Sequence, residues 1–318
     1  MQFRTKIPIL KSDFTIDYNS KIVSLGSCFA ENIAEKLDYF KFQSTCNPFG
    51  IIFNPVSIEK IIHKAVNLEL FTEKDIFFHN ERWHCFDVHS DLNHSNKEAF
   101  LENINAILQE TNNQITKSTH IIITYGTSWV YRNLESNSIV ANCHKVPQKE
   151  FLKEILSVDI IENSIKNTIS LIQKVNPNVN FIFTVSPVRH LKDGFVENQV
   201  SKANLITALY SVLQVPHLGA EGAYFPSYEI MMDELRDYRF YAEDMLHPSQ
   251  VAIDYIWERF SETTILEESH SNMDEVETIQ KGLAHRPFNP NSESYKKFLD
   301  NLNQKIVNLI SQYKFIKF

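Results

Sequence analysis

The residues best placed to do chemistry in this sequence are Ser27 and Cys28, in the run Gly26-Ser27-Cys28-Phe29-Ala30. They follow an apolar stretch, Ile22-Val23-Ser24-Leu25, and precede apolar residues at helical spacing: Phe29, Ala30, Ile33, Ala34 and Leu37. The pattern predicts a buried strand closed by a glycine and then a helix. A sharp turn exposes a nucleophile, and a helix N-terminus favours an anionic one. A base is still required. Asp244-Met245-Leu246-His247-Pro248 supplies a candidate, because an Asp three residues before a His can orient the imidazole and stabilise its charged form. Pro248 and the apolar positions Val251, Ile253, Tyr255 and Ile256 place His247 on a loop leading into a helix.

These groups need a scaffold. Two further apolar runs read as buried strands: His120–Tyr125, closed by Gly126, and Asn180–Val185, closed by Ser186-Pro187. Helical patterns precede them, around Glu98–Gln109 and Ile160–Val175. Alternating strands and helices predict an α/β domain with a mostly parallel sheet covered on both faces. In such sheets chemistry gathers outside the carboxyl ends of the strands. Those ends are Gly26-Ser27-Cys28, Gly126-Thr127-Ser128 and Ser186-Pro187-Val188-Arg189-His190. Residues 45–95 read as a long insertion after the first helix. Residues 1–265 form one domain in this reading, and 266–318 a helical extension packed on it, ending in a helix near Ser292–Tyr313.

Composition narrows the function classes. A net charge of −8 argues against sequence-independent nucleic-acid binding, which needs a basic footprint. The N-terminal residues lack the pattern of a signal peptide, and no apolar run is long enough for a membrane span. The four cysteines are scattered without a CxxC pair, as expected of free thiols. The expected compartment is therefore the cytoplasm. Neither a GxxxxGK[ST] nor a GxGxxG motif is present, so no nucleotide cofactor is expected.

Several segments together resemble the GSCFA family, within the SGNH/GDSL hydrolase superfamily. They are Leu25-Gly26-Ser27-Cys28-Phe29-Ala30, Trp83-His84-Cys85-Phe86-Asp87-Val88-His89-Ser90, Tyr125–Arg132, Ala141–Pro147, Thr184–His190 and Phe240–Ser249. The likeness covers roughly residues 20 to 260. It implies a flavodoxin-like three-layer sandwich and ester or acyl-transfer chemistry. In the superfamily pattern Cys28 falls in the nucleophile's place and Ser27 where an Asp would stand. A thiol suits the position, since a helix N-terminus and a nearby imidazole favour its thiolate. Where the superfamily has Gly-x-Asn this chain has Gly126-Thr127-Ser128, so the Ser128 hydroxyl and the backbone amides of Cys28 and Gly50 are the candidate oxyanion donors.

The expected reaction is acyl transfer through a Cys28 or Ser27 acyl-enzyme, from an ester or from a thioester such as acetyl-CoA, to water or a sugar hydroxyl. The expected partner is a small-molecule or carbohydrate ester, and not nucleic acid or membrane. Competing readings remain. Cys28 can be a buried small hydrophobe, and Asp244 and His247 a helix cap. Asn142 and His144 are either substrate contacts or surface loop, and His89 a pocket residue or a satisfied core histidine. Arg189 either binds a carboxylate or phosphate or pairs with Asp193, and His190 stands beside it at the cleft. A non-catalytic ligand-binding module would keep the fold and dispense with Cys28 and His247. A zinc site among His79, His84, Cys85, His89 and His94 has the right ligand types without a recognised spacing.

Overall fold

The computed structural model describes residues 5–213 and 222–318. In chain order, β1 (Lys21–Gly26), α1 (Cys28–Tyr39) and β2 (Gln43–Cys46) are followed by α2 (Pro55–Asn67) and a hairpin of β3 (Ile76–His79) and β4 (Arg82–Cys85). Next come α3 (Lys97–Lys117) and β5 (His120–Tyr125). An antiparallel excursion follows, of β6 (Trp129–Asn133), β7 (Ile139–Val140) and β8 (Phe151–Ile155). The chain continues through α4 (Val158–Val175), β9 (Asn180–Val185), α5 (Phe195–Leu213), β10 (Gly222–Phe225) and the single turn α6 (Ser227–Glu229). It closes with α7 (Gln250–Thr264), α8 (His270–Ala284) and α9 (Glu293–Gln312). Among the described residues no helix is long and apolar enough to cross a membrane.

The central sheet runs β2-β1-β5-β9-β10, with every neighbouring pair parallel. Counting only these strands, the order is 2-1-3-4-5, that of flavodoxin-like doubly wound sheets. Side chains alternate between the two faces, as a two-residue period requires. Val23, Leu25, Ile121, Ile123, Phe181 and Phe183 join a core with α2, α3, α4 and α5. Ile22, Ile122 and Ile182 join a second core with α1 and α7. Both faces are thus covered, which is why these strands read as continuous apolar runs.

The stretch 45–95 is more than an excursion from this sheet. It holds the end of β2, and α2 buries Ile58, Ile61, Ile62, Ala65 and Val66 in the first core. The C-terminal helices share the second core, where Met273, Val276, Ile279, Leu302 and Leu309 meet α1 and α7.

The order reverses between β1 and β5, and ligands of such sheets bind at that switch point. The turn there is tightly built. Gly26 has a φ of +137°, and a Cβ on it would lie 2.1 Å from the Thr124 carbonyl oxygen. Only glycine relieves both constraints. Gly26 also donates its N–H to Asn47 Oδ1 at 2.8 Å and accepts from the N–H of Ile52 at 3.1 Å. Gly26→Ala should therefore cost about 3 kcal/mol or more, from backbone strain and overpacking together. Chemical denaturation checks this, and a loss below about 1 kcal/mol would contradict the geometry.

Candidate active site

Ser27 caps α1: its Oγ accepts from the N–H of Phe29 at 3.3 Å, and its side chain is buried. Cys28 is the first helical residue and is partly exposed. Of the two, the thiol is therefore the one accessible from solvent. Burial is the largest influence on it and raises its pKa, with the Glu31 carboxylate adding to the rise. The Lys202 ammonium and the N–H groups of Phe29 and Cys28 act in the opposite direction without overcoming it. The N–H groups at the start of α1 favour the thiolate, but desolvation outweighs them and the thiol form is favoured.

Across the switch point stands Gly126. A Cβ there would meet Phe53 Cβ at 2.8 Å, Ser27 Cβ at 3.3 Å and His190 Nε2 at 3.5 Å, so Ser27 and His190 flank one spot. The His190 N–H donates to Asn198 Oδ1 at 2.9 Å, while its buried Nε2 has no partner among the described residues. Burial holds the His190 imidazole neutral, with its pKa lowered to about 3, and Lys202 and His247 contribute to the same shift.

Asp244 and His247 meet as their spacing predicts. The carboxylate accepts the backbone N–H groups of Leu246 and His247 and lies 2.5 Å from His247 Nδ1. Those two backbone N–H bonds, then the side-chain bond to His247, lower its pKa to about 2. Arg189 anchors the loop that carries the pair: its guanidinium donates to the Met245 carbonyl and stacks on Tyr241 at 4.4 Å, and its N–H bonds the Leu246 carbonyl at 3.2 Å. Asp193, the alternative partner for Arg189, pairs with Lys153 instead. Among the described residues no hydrogen bond joins His247 to Cys28 or Ser27. Catalytic contacts of this kind often tighten only when substrate binds.

The other polar groups are committed to the scaffold. The Gly126 N–H bonds the Phe53 carbonyl at 2.7 Å, and Thr127 Oγ1 lies 2.8 Å from Ser201 Oγ. The Ser128 N–H donates to Ser201 Oγ, and its hydroxyl donates to the Ser201 carbonyl. Gly50 gives its N–H to the Asn47 carbonyl at 2.7 Å and packs against His89 Cβ. Among the described residues the Cys28 amide donates to no other residue, as is usual for the first N–H of a helix.

His89, Asn142 and His144 lie close to one another. His89 pairs with Asp91 at 3.1 Å, and Asn142 Oδ1 accepts the His144 N–H. His144 is buried with its Nε2 2.6 Å from the Cys85 carbonyl oxygen, and its ring centroid lies 4.9 Å from that of His84. Burial lowers its pKa to about 4 against the hydrogen bond to Cys85, with His84 and His89 adding to the lowering. His84 Nε2 in turn lies 2.8 Å from the His79 carbonyl oxygen. Among the described residues no group of three or more His, Cys, Asp or Glu side chains converges to hold a metal ion.

A model of the GSCFA family matches residues 21–260, and a model described as the C-terminal domain of GSCFA domain proteins matches 276–318. The chain belongs to the GSCFA family. The comparison with curated proteins found no match. The first GSCFA match begins at β1 and ends within α7, so it contains every candidate site residue named in this subsection. The second takes in α9 and most of α8.

One residue of this candidate site has no motif in the sequence. Lys202 lies in the middle of α5, fully buried, and donates 2.7 Å bonds to the carbonyls of Gly126 and Ser186. The only signal for it is its register: Asn198, Ser201 and Lys202 share the buried face that continues through Leu205 and Leu209.

The buried histidines make stability pH-dependent. A histidine held neutral by the fold is protonated only below its lowered pKa, whereas in the unfolded chain it is protonated near 6.5. The stabilisation from His144 and His190 is thus present above about pH 6.5 and is lost as pH falls towards the folded values. Each should cost up to about 2 kcal/mol between pH 6.5 and 5. Denaturation at the two pH values measures the loss, and His190→Phe, which sacrifices no bond to Nε2, should shrink it; an unchanged difference in that variant would contradict the assignment.

Proposed function

We propose that this GSCFA protein is an SGNH-type acyl-transfer enzyme working through an acyl-enzyme on Cys28, with His247 as base and Asp244 as its orienting partner. The observation that carries the reading is the strand–turn–helix at the switch point. It presents a partly exposed thiol at a helix N-terminus, at the carboxyl end of the sheet, where the segment after β9 also holds the loop carrying a preformed Asp–His pair.

In the proposed reaction the His247 imidazole takes the thiol proton as sulfur attacks an ester or thioester carbonyl. The oxyanion forms beside the Cys28 amide. The leaving alkoxide or thiolate departs with the proton from His247, and the acyl group then passes to water or to a hydroxyl. Because the resting thiol is held protonated, a base is needed at the moment of attack, which is the role given to His247. A thiol nucleophile is chemically matched to a thioester donor such as acetyl-CoA, and an acylated carbohydrate is the other substrate class proposed.

One observation favours a second reading. The N–H groups of Gly126 and Ser128 are both engaged by the scaffold, which suits a ligand-binding module with no oxyanion to stabilise.

Intact-mass spectrometry after incubation with p-nitrophenyl acetate, or with acetyl-CoA, separates the two. The expected result is one acetyl adduct on the wild type and on Ser27→Ala, none on Cys28→Ala, and acylation slowed about 10²–10⁴-fold in His247→Ala. Absence of adduct and turnover from every form with both donors would leave the binding module as the better account.

A further inference from the structure

Arg189 joins the segment after β9 to the loop that carries Asp244 and His247. Its guanidinium donates to the Met245 carbonyl, its backbone N–H donates to the Leu246 carbonyl, and its Cζ lies 4.4 Å from the Tyr241 ring centroid and 5.5 Å from that of Tyr238. A guanidinium carries five N–H donors in a rigid fork. Met245 accepts from one of them. The Nε–H is buried without an acceptor, and among the described residues the fork has no other hydrogen-bond partner. Its charge is uncompensated as well. Asp193, Asp237 and Asp244, the aspartates of the two segments, pair with Lys153, Arg239 and His247. Among the described residues no carboxylate, Glu243 included, lies within ion-pair distance of Arg189. Anchoring the loop uses one side-chain bond and a ring contact; it leaves the charge and most of the fork unused.

We propose that Arg189, with Tyr238 and Tyr241 beside it, forms an anion-binding subsite for a phosphate or carboxylate group of the ligand that binds at the switch point. A planar fork held in place matches either group with two parallel hydrogen bonds. The two tyrosine rings lie 5.7 Å apart, and among the described residues neither hydroxyl has a hydrogen-bond partner, so each has a donor to offer. Tyr238 is 62% exposed and the Arg189 side chain is partly exposed, so an anion reaches them from solvent. Bound there, it lies beside the loop that carries His247 and fixes the ligand by a group remote from any reacting bond. Two sources supply this chemistry: the phosphates of a thioester donor such as acetyl-CoA, and the carboxylate of an acidic sugar. The subsite stands independently of acylation at Cys28, since a ligand-binding module would use it equally.

The test follows the Arg189 Nε–Hε resonance in ¹H–¹⁵N NMR spectra of the intact protein, assigned by its absence from Arg189→Lys. Burial of this N–H slows its exchange with water and keeps the signal observable. Inorganic phosphate, added at constant ionic strength, should shift it saturably with a millimolar or tighter Kd. In Arg189→Met, phosphate binding read from the backbone amides of Tyr241 and Leu246 should weaken by about tenfold or more. Arg189→Lys should retain part of it, because a lysine keeps the charge without the fork. The wild-type resonance reports contact with the anion itself, so a loosened loop in the variants cannot imitate the result.

Coenzyme A and D-glucuronate, with D-glucose as the uncharged control, then distinguish the two sources. Tighter binding of coenzyme A assigns the subsite to a phosphate, and tighter binding of glucuronate assigns it to an acidic sugar. An Arg189 resonance unmoved by phosphate, coenzyme A and glucuronate at about 20 mM, well above a millimolar Kd, would overturn the proposal. So would a shift that glucose reproduces, or phosphate binding unchanged in Arg189→Met. None of these probes is an acyl donor, so a failure here and a failure of the acyl-transfer reading are told apart.

Discussion

The end of β1 constrains everything around the site. Gly26 must pass so close to the Thr124 carbonyl that no side chain fits, and its backbone takes a conformation that L-residues rarely adopt. Given that contact, the Ser27 N–H reaches the Thr124 carbonyl at 3.0 Å, Ser27 falls into the capping position of α1, and Cys28 becomes the first residue with a helical amide. Asn47 fastens the turn from the β2 side by accepting the Gly26 N–H, and its own amide reaches Glu31 at 3.4 Å. The position of the thiol is thus a consequence of backbone packing between two adjacent parallel strands.

The opposite wall of the site is organised by a polar face of α5. Asn198 holds the His190 backbone, Ser201 holds Thr127 and Ser128, and Lys202 holds Gly126 and Ser186. A buried network of this kind contributes more to uniqueness than to net stability, since each satisfied bond gains little while each broken one leaves a desolvated group behind. It explains why Ser128 and the Gly126 amide face the scaffold. The Asp244–His247 pair differs in kind: it is roughly half exposed and carried by a loop that Arg189 stacks into place. A rigid thiol and a base on a loop divide the proposed chemistry between a fixed element and one with more freedom to adjust.

The three strands that read as apolar runs are those buried on both faces, and the helices beside them follow their periodicity. β2 escapes such a reading because Gln43-Ser44-Thr45-Cys46 is a half-buried edge strand with polar side chains. α5 escapes because its buried face mixes Asn, Ser and Lys with Leu and Val, which erases the amphipathic signal. α2 is plain in its burial but was masked by the Phe-, His- and Asn-rich segments around it.

What the sequence by itself determined is local. The glycine-closed strand, the helix capped by Ser27, the thiol at its first position and the Asp244–His247 contact all arise from residues within a few positions of one another. Backbone geometry makes such spacing a reliable guide to contact. Tertiary structure alone decided the long-range matters: that His190 shares a spot with Ser27, that Gly50 and Ser128 spend their donors on the scaffold, and that burial holds the Cys28 thiol protonated. It also decided that Lys202, 76 positions from Gly126, lies beneath the site. Desolvation and the satisfaction of buried carbonyls depend on what the folded chain packs around a group, and no spacing of residue types encodes that.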